Sequence, residues 1–111
     1  MGANWGYTLA MGTSSKDAFD FATRNAISEY GSNAYNGTIS TFSGFKEVPS
    51  PKGKTPQELY DMIDDYEYME KTYSTLGGKW STCGCFKVDL NDKTKGCDDI
   101  NQYVFWGWFA T

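Results

Sequence analysis

The last apolar stretch of the chain reads Gln102-Tyr103-Val104-Phe105-Trp106-Gly107-Trp108-Phe109-Ala110. With the two-residue period of a β-strand, apolar side chains fall on both faces. One face takes Tyr103, Phe105, Gly107 and Phe109, and the other takes Val104, Trp106, Trp108 and Ala110. A strand that needs cover on two sides belongs in the middle of a sheet. We therefore expect neighbouring strands beside it and helices packed against it.

The length and composition of the chain predict one domain with an aromatic core. A domain of 111 residues, positions 1–111, buries roughly two thirds of the surface that its unfolded chain exposes. Aromatic residues make up 17% of the chain, and each buried ring removes about 150–250 Å² from water. This is a high aromatic load for a small domain, so we expect some rings to remain on a surface.

The charge balance and the absence of histidine exclude several classes of function. The formal net charge is −4 and the pI is about 4.6, whereas direct binding of nucleic acid needs clustered Lys and Arg. Histidine, the commonest general base and metal ligand, does not occur. We expect a protein that is not an enzyme, binds no cofactor and has a basic partner.

The three cysteines, Cys83, Cys85 and Cys97, are too few for a structural zinc site without histidine. We expect buried or half-buried thiols and no bound metal. The absence of a secretory leader favours a reducing cytoplasm over a secreted disulfide scaffold. No apolar run approaches the roughly 20 residues of a membrane span, so no membrane association is expected.

Hydrophobic periodicity predicts the order β-α-β-α-β-β and therefore an α+β domain. A first strand covers Trp5–Met11, and a helix follows Ser14, with Ala18, Ala22 and Ala26 on its inner face, and ends at Gly31. A second strand is expected over Thr38–Phe42. Strands over 82–90 and 102–110 then form a hairpin. Together these strands predict a mainly antiparallel sheet of about four strands, packed with two helices.

The second helix begins with the clearest local signal of the chain, Thr55-Pro56-Gln57-Glu58. This is a capping box with proline at the first helical position. Apolar residues then recur along one arc of a helical wheel: Leu59, Met62, Ile63, Tyr66, Met69, Tyr73 and Leu76. The pattern predicts one continuous helix from Pro56 to Leu76.

The other face of this helix concentrates the negative charge of the chain. It carries Tyr60, Asp61, Asp64, Asp65, Glu67 and Tyr68. With Glu58 and Glu70 the helix has six acids against one base, Lys71, so it carries −5 while the rest of the chain sums to +1. A solvated helix face is one interpretation. The other is a surface that presents carboxylates to a basic cleft, as mimics of nucleic-acid phosphates do.

A second candidate surface for a ligand or an oligomer consists of Phe21, Glu70, Trp80, Trp106 and Trp108. Glu70 lies inside the apolar arc of the helix, so either the helix begins to leave the core there, or the carboxylate pairs with a lysine or a backbone amide, or it is a single buried acid in a pocket. The face with Trp106 and Trp108 needs a helix, a ligand or a partner chain as cover, and self-association there would give an isologous homodimer. Phe21 is either a contact beneath a loop or an exposed anchor.

Three short runs resemble phage sequences. Glu29-Tyr30-Gly31, then Tyr35-Asn36-Gly37-Thr38-Ile39, and the closing Phe105-Trp106-Gly107-Trp108-Phe109-Ala110 are similar to short open reading frames of phages and prophages that mostly lack an assigned function. The runs contain no catalytic motif. The resemblance implies a viral accessory role in the cytoplasm of a host cell, and small acidic phage proteins are often inhibitors of host machinery, including nucleases of defence systems.

These observations favour a non-enzymatic, phage-type accessory protein or inhibitor. It would block a basic, nucleic-acid-binding site of a host protein through its acidic helix. The alternative is a small-molecule-binding protein, or an enzyme, with an aromatic pocket that includes Trp80, Trp106, Trp108 and Glu70. A purely structural homo-oligomer is a third hypothesis.

Overall fold

The computed structural model describes residues 3–31, 38–51, 53–73, 76, 82–88 and 100–110. Within these residues the strands and helices follow the order β1 (Ala3–Gly12), α1 (Ser15–Tyr30), β2 (Gly44–Glu47), α2 (Pro56–Asp64), α3 (Tyr66–Thr72), β3 (Thr82–Val88) and β4 (Asn101–Ala110). A 3₁₀ helix, Ile39–Thr41, precedes β2. The predicted α+β class is confirmed. None of the helices described is long and apolar enough to cross a membrane.

The closing strand is central, as its two apolar faces predict. The sheet has the order β1-β4-β3-β2, so β4 lies between β1 and β3. It pairs antiparallel with β1, from Ala3 opposite Ala110 to Gly12 opposite Asn101, and antiparallel with β3. The β2–β3 pair is parallel, which makes the sheet mixed.

The two faces of β4 support two separate clusters of buried side chains. On one face Tyr103, Phe105 and Phe109 pack with the alanines of α1 and with Cys83 and Cys85 of β3. On the other face the cluster consists of Val104 and Trp106 from β4, Phe86 and Val88 from β3, and Leu59, Ile63 and Met69 from α2 and α3. The helices therefore flank the sheet, and α2 and α3 cover the face on which Trp106 lies.

Local signals and small side chains position α1. Ser14 is its N-cap and accepts a hydrogen bond from the backbone N–H of Asp17, and Gly31 ends the helix with φ of 84°. Ala18, Ala22 and Ala26 are buried against the sheet. The approach to β1 is close, because a Cβ on Gly12 would lie 2.7 Å from the backbone nitrogen of Ala18.

The predicted second strand over Thr38–Phe42 is wrong. Ile39 and Phe42 are both buried in the α1 cluster, and a strand would direct these two side chains to opposite faces. A 3₁₀ turn brings positions i and i+3 to the same side, which explains why this segment is helical. The strand lies further on, at Gly44–Glu47, where the ring of Phe45 packs against Phe19 and Phe105.

The predicted single helix from Pro56 to Leu76 is two helices that meet at Asp65, and α3 ends at Thr72. The carboxylate of Asp65 accepts the backbone N–H of Tyr68 at 3.2 Å and thereby caps α3. Asp side chains compete in this way with continued helix. The indole N–H of Trp5 donates to the carbonyl of Ile63 at 2.6 Å, which satisfies one of the carbonyls that the break leaves without a helical partner.

Candidate functional site

The N-terminal capping box positions the acidic surface of α2. The backbone N–H of Thr55 donates to Oε1 of Glu58 at 3.0 Å, and the backbone N–H of Glu58 donates to the hydroxyl oxygen of Thr55 at 3.2 Å. Hydrogen bonding to the Thr55 backbone, and secondarily to its side chain, lowers the pKa of Glu58. The first acid of the surface is therefore fixed in place and ionised at neutral pH.

The carboxylates predicted to bind a partner all face solvent. Asp61 and Asp64 are exposed on α2, Asp65 is exposed at the break, and Glu67 is exposed on α3. The amide of Gln57 donates to Asp61 at 3.0 Å. The apolar side of the same helices, with Leu59, Ile63 and Met69, is buried, so packing of the inner side orients the acids outward.

The two tyrosines predicted in this surface differ in their surroundings. Tyr68 is exposed on α3, whereas the ring of Tyr60 stacks on Tyr7 of β1 with centroids 5.3 Å apart. Burial raises the pKa of Tyr60. Tyr60 therefore anchors α2 to the sheet, whereas Tyr68 belongs to the exposed face of α3.

The acids of α2 and α3 have no cationic partner among the described residues. The ion pair that the described residues do form joins Lys16 to Asp20 on α1, with the two charged atoms 2.9 Å apart. Lys71, the one base of α2 and α3, is exposed and is not within ion-pair distance of a described acid. No acid of α2 or α3 is therefore within ion-pair distance of a described lysine or arginine, although the charge of Lys54 adds to the lowering of the Glu58 pKa by hydrogen bonds to Thr55.

The break at Asp65 turns the acidic face into a groove. This groove of about 550 Å³ is lined by Lys54, Glu58, Asp61, Met62, Asp65 and Tyr68. Three carboxylates and one ammonium group therefore surround a concave surface whose lining is mainly acidic. Helical periodicity did not predict this groove, because the apolar arc continues past Asp65. Aspartate is nevertheless a residue type that commonly caps the start of a helix, and Asp65 stands three residues before Tyr68, whose N–H it accepts.

Trp108 and Glu70, from the second predicted surface, are in contact. The indole N–H of Trp108 donates to Oε2 of Glu70 at 3.2 Å. Glu70 is exposed, so its interpretation as a single buried acid is wrong, and the helix leaves the core at this residue. The ring of Trp108 is half-buried against Trp5 and Tyr66, with centroids 5.4 and 5.5 Å away. This aromatic corner adjoins the acidic residues of α3.

Trp106 belongs to the core rather than to a surface. It is fully buried, and its ring packs among the rings of Trp5, Tyr73 and Phe86, with centroids 6.1, 5.2 and 5.5 Å away. Its indole N–H has no hydrogen-bond partner among the described residues. The helices on this face provide the cover that the sequence predicted Trp106 would need. Trp80 lies outside the described residues.

Phe21 lies elsewhere on the molecule, on α1 against the opposite face of the sheet. Half of it is exposed, which agrees with an anchor rather than with a contact beneath a loop. Phe21 therefore contributes to a different surface from Trp108 and Glu70.

The cysteines of β3 are buried thiols, as predicted. Burial raises the pKa of Cys83 to about 12, and burial together with the nearby charge of Glu47 raises the pKa of Cys85. Neutral thiols are poor nucleophiles and poor metal ligands. Cys97 lies outside the described residues, among which no group of three metal-ligating side chains occurs.

The site that the structure assembles best is thus the acidic groove of α2 and α3, with Tyr68 in its lining and the corner of Trp108 and Glu70 further along α3. Comparisons of the chain with protein-family models, with curated proteins and with solved structures give no match.

Proposed function

We propose that α2 and α3 bind a basic site on another protein, and that the chain inhibits that protein by occupying a site for nucleic acid. The observation that carries this proposal is the solvent-facing set of six carboxylates, none of which forms an ion pair with a described lysine or arginine. The resemblance of three short runs to phage reading frames favours a host protein as the partner and a phage accessory role for the chain.

The linear charge density of the acidic surface supports mimicry of nucleic acid. Helices of nine and seven residues joined through Asp65 amount to about 25 Å of helix axis at 1.5 Å per residue. Six carboxylates over that length give one charge in about 4 Å, close to the 3.4 Å spacing of phosphates along one strand of DNA. A cleft that binds a phosphate backbone would therefore meet a similar density of negative charge.

Exposed aromatic rings beside the acids suit an arginine-rich partner. Tyr66 and Tyr68 are exposed on α3, and Tyr66 touches the ring of Trp108. A guanidinium group can stack on such a ring while it binds a neighbouring carboxylate. The rings would supply desolvated contacts that a purely ionic surface lacks.

The test replaces the acids by their amides and keeps the net charge matched. The first variant carries Asp61→Asn, Asp64→Asn, Asp65→Asn and Glu67→Gln, which preserves the size of each side chain and the cap at Asp65. The control variant carries Asp17→Asn, Asp20→Asn, Glu29→Gln and Glu47→Gln. Both changes raise the formal net charge from −4 to zero, so the variants differ only in where the charge is lost.

Binding is measured by capture of partners from a bacterial lysate at low and high salt, followed by displacement of duplex DNA from each captured protein. We expect the control variant to capture a DNA-binding protein as the unmodified chain does, and the first variant to lose it while its circular dichroism spectrum is unchanged. Capture should also weaken steeply with salt, because the charges are exposed. Equal capture by both variants, or capture that persists at high salt, would refute the proposal.

A further inference from the structure

Strand β1 is an edge of the sheet, and no described residue pairs with its outer side. It pairs with β4 on one side only, because the sheet has the order β1-β4-β3-β2. Its residues Ala3–Gly12 include no charged side chain and no proline, the usual devices that keep an edge from pairing with another chain. Alternate N–H and C=O groups of a paired edge strand point away from its partner, so β1 offers a row of donors and acceptors.

A groove runs beside this edge. Its volume is about 750 Å³, and its lining includes Leu9 and Met11 from β1 and Phe21, Asn25 and Glu29 from α1. Phe21, Asn25 and Glu29 follow one another at intervals of four residues, so they form one ridge along α1. Leu9, Met11 and Phe21 are 43%, 51% and 50% exposed. Leu9 pairs with Val104 and Met11 with Gln102, so these two side chains lie on the sheet face that is opposite α1. The groove thus combines backbone groups of β1 that have no partner among the described residues with the exposed ring of Phe21 on its α1 side, and Leu9 and Met11 lie on the other side of the same edge.

We propose that this groove binds an extended peptide of another protein, which adds to β1 as a fifth strand beneath the ridge of α1. Main-chain hydrogen bonds to an exposed edge provide affinity in such additions, and pockets for alternate side chains provide specificity. The surface lies on α1 and β1, and is therefore separate from the acidic groove of α2 and α3.

Charge and spacing define the sequence of the peptide. Glu29 is the one charged residue in the lining, and it lies in the last turn of α1, which has no basic residue. The helix C-terminus adds a partial negative charge there, so this end favours Lys or Arg. The exposed ring of Phe21 favours an apolar side chain at the other end.

The distance between the two ends sets the spacing within the peptide. Phe21 and Glu29 are eight residues apart, about 12 Å along a helix, and an extended chain covers that distance in about four residues. Residues i and i+4 of a strand share a face. The fitting pattern is therefore one apolar and one basic residue at i and i+4.

A second copy of this chain fits the edge less well than a peptide does. An antiparallel β1–β1 pair has its two-fold axis perpendicular to the sheet, so both α1 helices would lie on the same face. Paired strands are about 4.8 Å apart, whereas packed helices need about 8–10 Å. The ridges of Phe21, Asn25 and Glu29 from the two copies would compete for the same space.

The test uses two capped peptides and the full chain. The peptides Thr-Leu-Thr-Val-Thr-Arg-Thr and Thr-Arg-Thr-Val-Thr-Leu-Thr cover both strand directions, and amide hydrogen exchange of the protein locates them. We expect one of them to bind saturably and to protect amides of β1. Glu29→Lys should weaken that binding about fivefold at low salt, and exchange of the peptide's Arg for Glu should restore it. The matched control is Glu67→Lys, which makes the same charge change on α3 and should leave the peptide affinity unchanged.

Three results would overturn the proposal. One is the failure of both peptides to bind at millimolar concentration. A second is equal weakening by Glu29→Lys and Glu67→Lys. The third is a dimer in sedimentation equilibrium that Phe21→Ser abolishes, because a second copy would then occupy the edge. Loss of partner capture in the variant with amides on α2 and α3, with peptide binding retained, would concern the acidic groove alone.

Discussion

Replacement of Gly84 by alanine should destabilise the protein strongly, because the ring of Trp106 occupies the space where a side chain would begin. Gly84 of β3 lies directly opposite Trp106 of β4. A Cβ at this position would lie 2.0 Å from Cζ2 and 2.2 Å from Cε2 of the indole. Ordinary contact between such atoms begins near 3.4 Å, so the ring would have to move by more than an ångström.

The packing around Trp106 sets the magnitude. Its ring is fully buried among three other rings, so its displacement disturbs the whole cluster. Overpacking of a core costs typically 1–3 kcal/mol, and this overlap belongs at the upper end. Alanine recovers up to about 1 kcal/mol relative to glycine within a strand. We expect a net loss of about 2–3 kcal/mol in the free energy of unfolding and a fall of about 10 °C in Tm.

Urea denaturation followed by tryptophan fluorescence measures this loss, and Gly6→Ala is the matched control. A Cβ on Gly6 has nothing within 4 Å, so that variant should be unchanged or more stable by about 0.5 kcal/mol. The penalty of Gly84→Ala should shrink in a Trp106→Leu background, because the obstructing ring is gone. A free energy of unfolding for Gly84→Ala within about 0.5 kcal/mol of that of the unmodified chain would contradict the predicted overlap. An equal penalty in the unmodified and Trp106→Leu backgrounds would contradict it as well.

Three further predictions concern the buried thiols of β3 and two side-chain hydrogen bonds. The free energy of unfolding should fall as pH rises above 9, because the pKa of the Cys83 thiol is near 9.0 in the unfolded chain and about 12 in the folded chain. Each buried thiol contributes a loss of about 1.4 kcal/mol per pH unit. Replacement of Cys83 and Cys85 by alanine should flatten the dependence of this free energy on pH, measured by urea denaturation. Trp5→Phe removes the donor to the Ile63 carbonyl and should cost about 1–3 kcal/mol in thermal denaturation. Asp65→Ala should cost about 1 kcal/mol by the same measurement, and Asp65→Asn almost nothing, because asparagine also caps a helix.

A specific result would contradict each of these three predictions. The sign of the thiol effect follows from proton counting: above pH 9 the unfolded chain binds fewer protons than the folded one, so stability is fully present below that pH and decreases above it. A profile with the same slope in the cysteine variant would contradict it. A Trp5→Phe variant as stable as the unmodified chain would show that water replaces the indole donor. Equal effects of Ala and Asn at Asp65 would contradict its role as a cap.

Sequence patterns predicted the elements whose signals are local and consistent. The closing strand has nine residues without a charge and two apolar faces, so a central position was the only way to bury it. The capping box at Thr55 and the glycine at the end of α1 were also confirmed. In each case one arrangement satisfied hydrogen bonding and burial together.

The errors arose where two arrangements satisfied the same pattern. The apolar arc of the second helix continues past Asp65, so periodicity alone could not show that a side-chain cap ends one helix and begins another. Ile39 and Phe42 fit a short strand by composition, and their burial on one side depends on α1. The register that places Trp106 across Gly84 depends on which strands pair, which the sequence patterns did not determine.

Part of the candidate site was predictable and part was not. The helical wheel placed Asp61, Asp64 and Glu67 on the solvent side correctly, because burial of the opposite side decides their direction. It also placed Glu70 in the apolar arc, where the structure exposes it, since the helix is interrupted at Asp65 and a single wheel does not continue through the break. The acidic groove is lined by residues on both sides of that break and has no counterpart in the wheel.

The central position of β4 has a consequence for synthesis of the protein in the cell. The ribosome makes this strand after every other strand of the sheet, yet both β1 and β3 pair with it. Until β4 emerges, β1 lacks its one neighbour in the sheet and the two clusters of buried side chains lack the strand between them. Assembly of the sheet therefore has to wait for β4, and until then the exposed apolar side chains of a nascent chain favour aggregation or binding to chaperones.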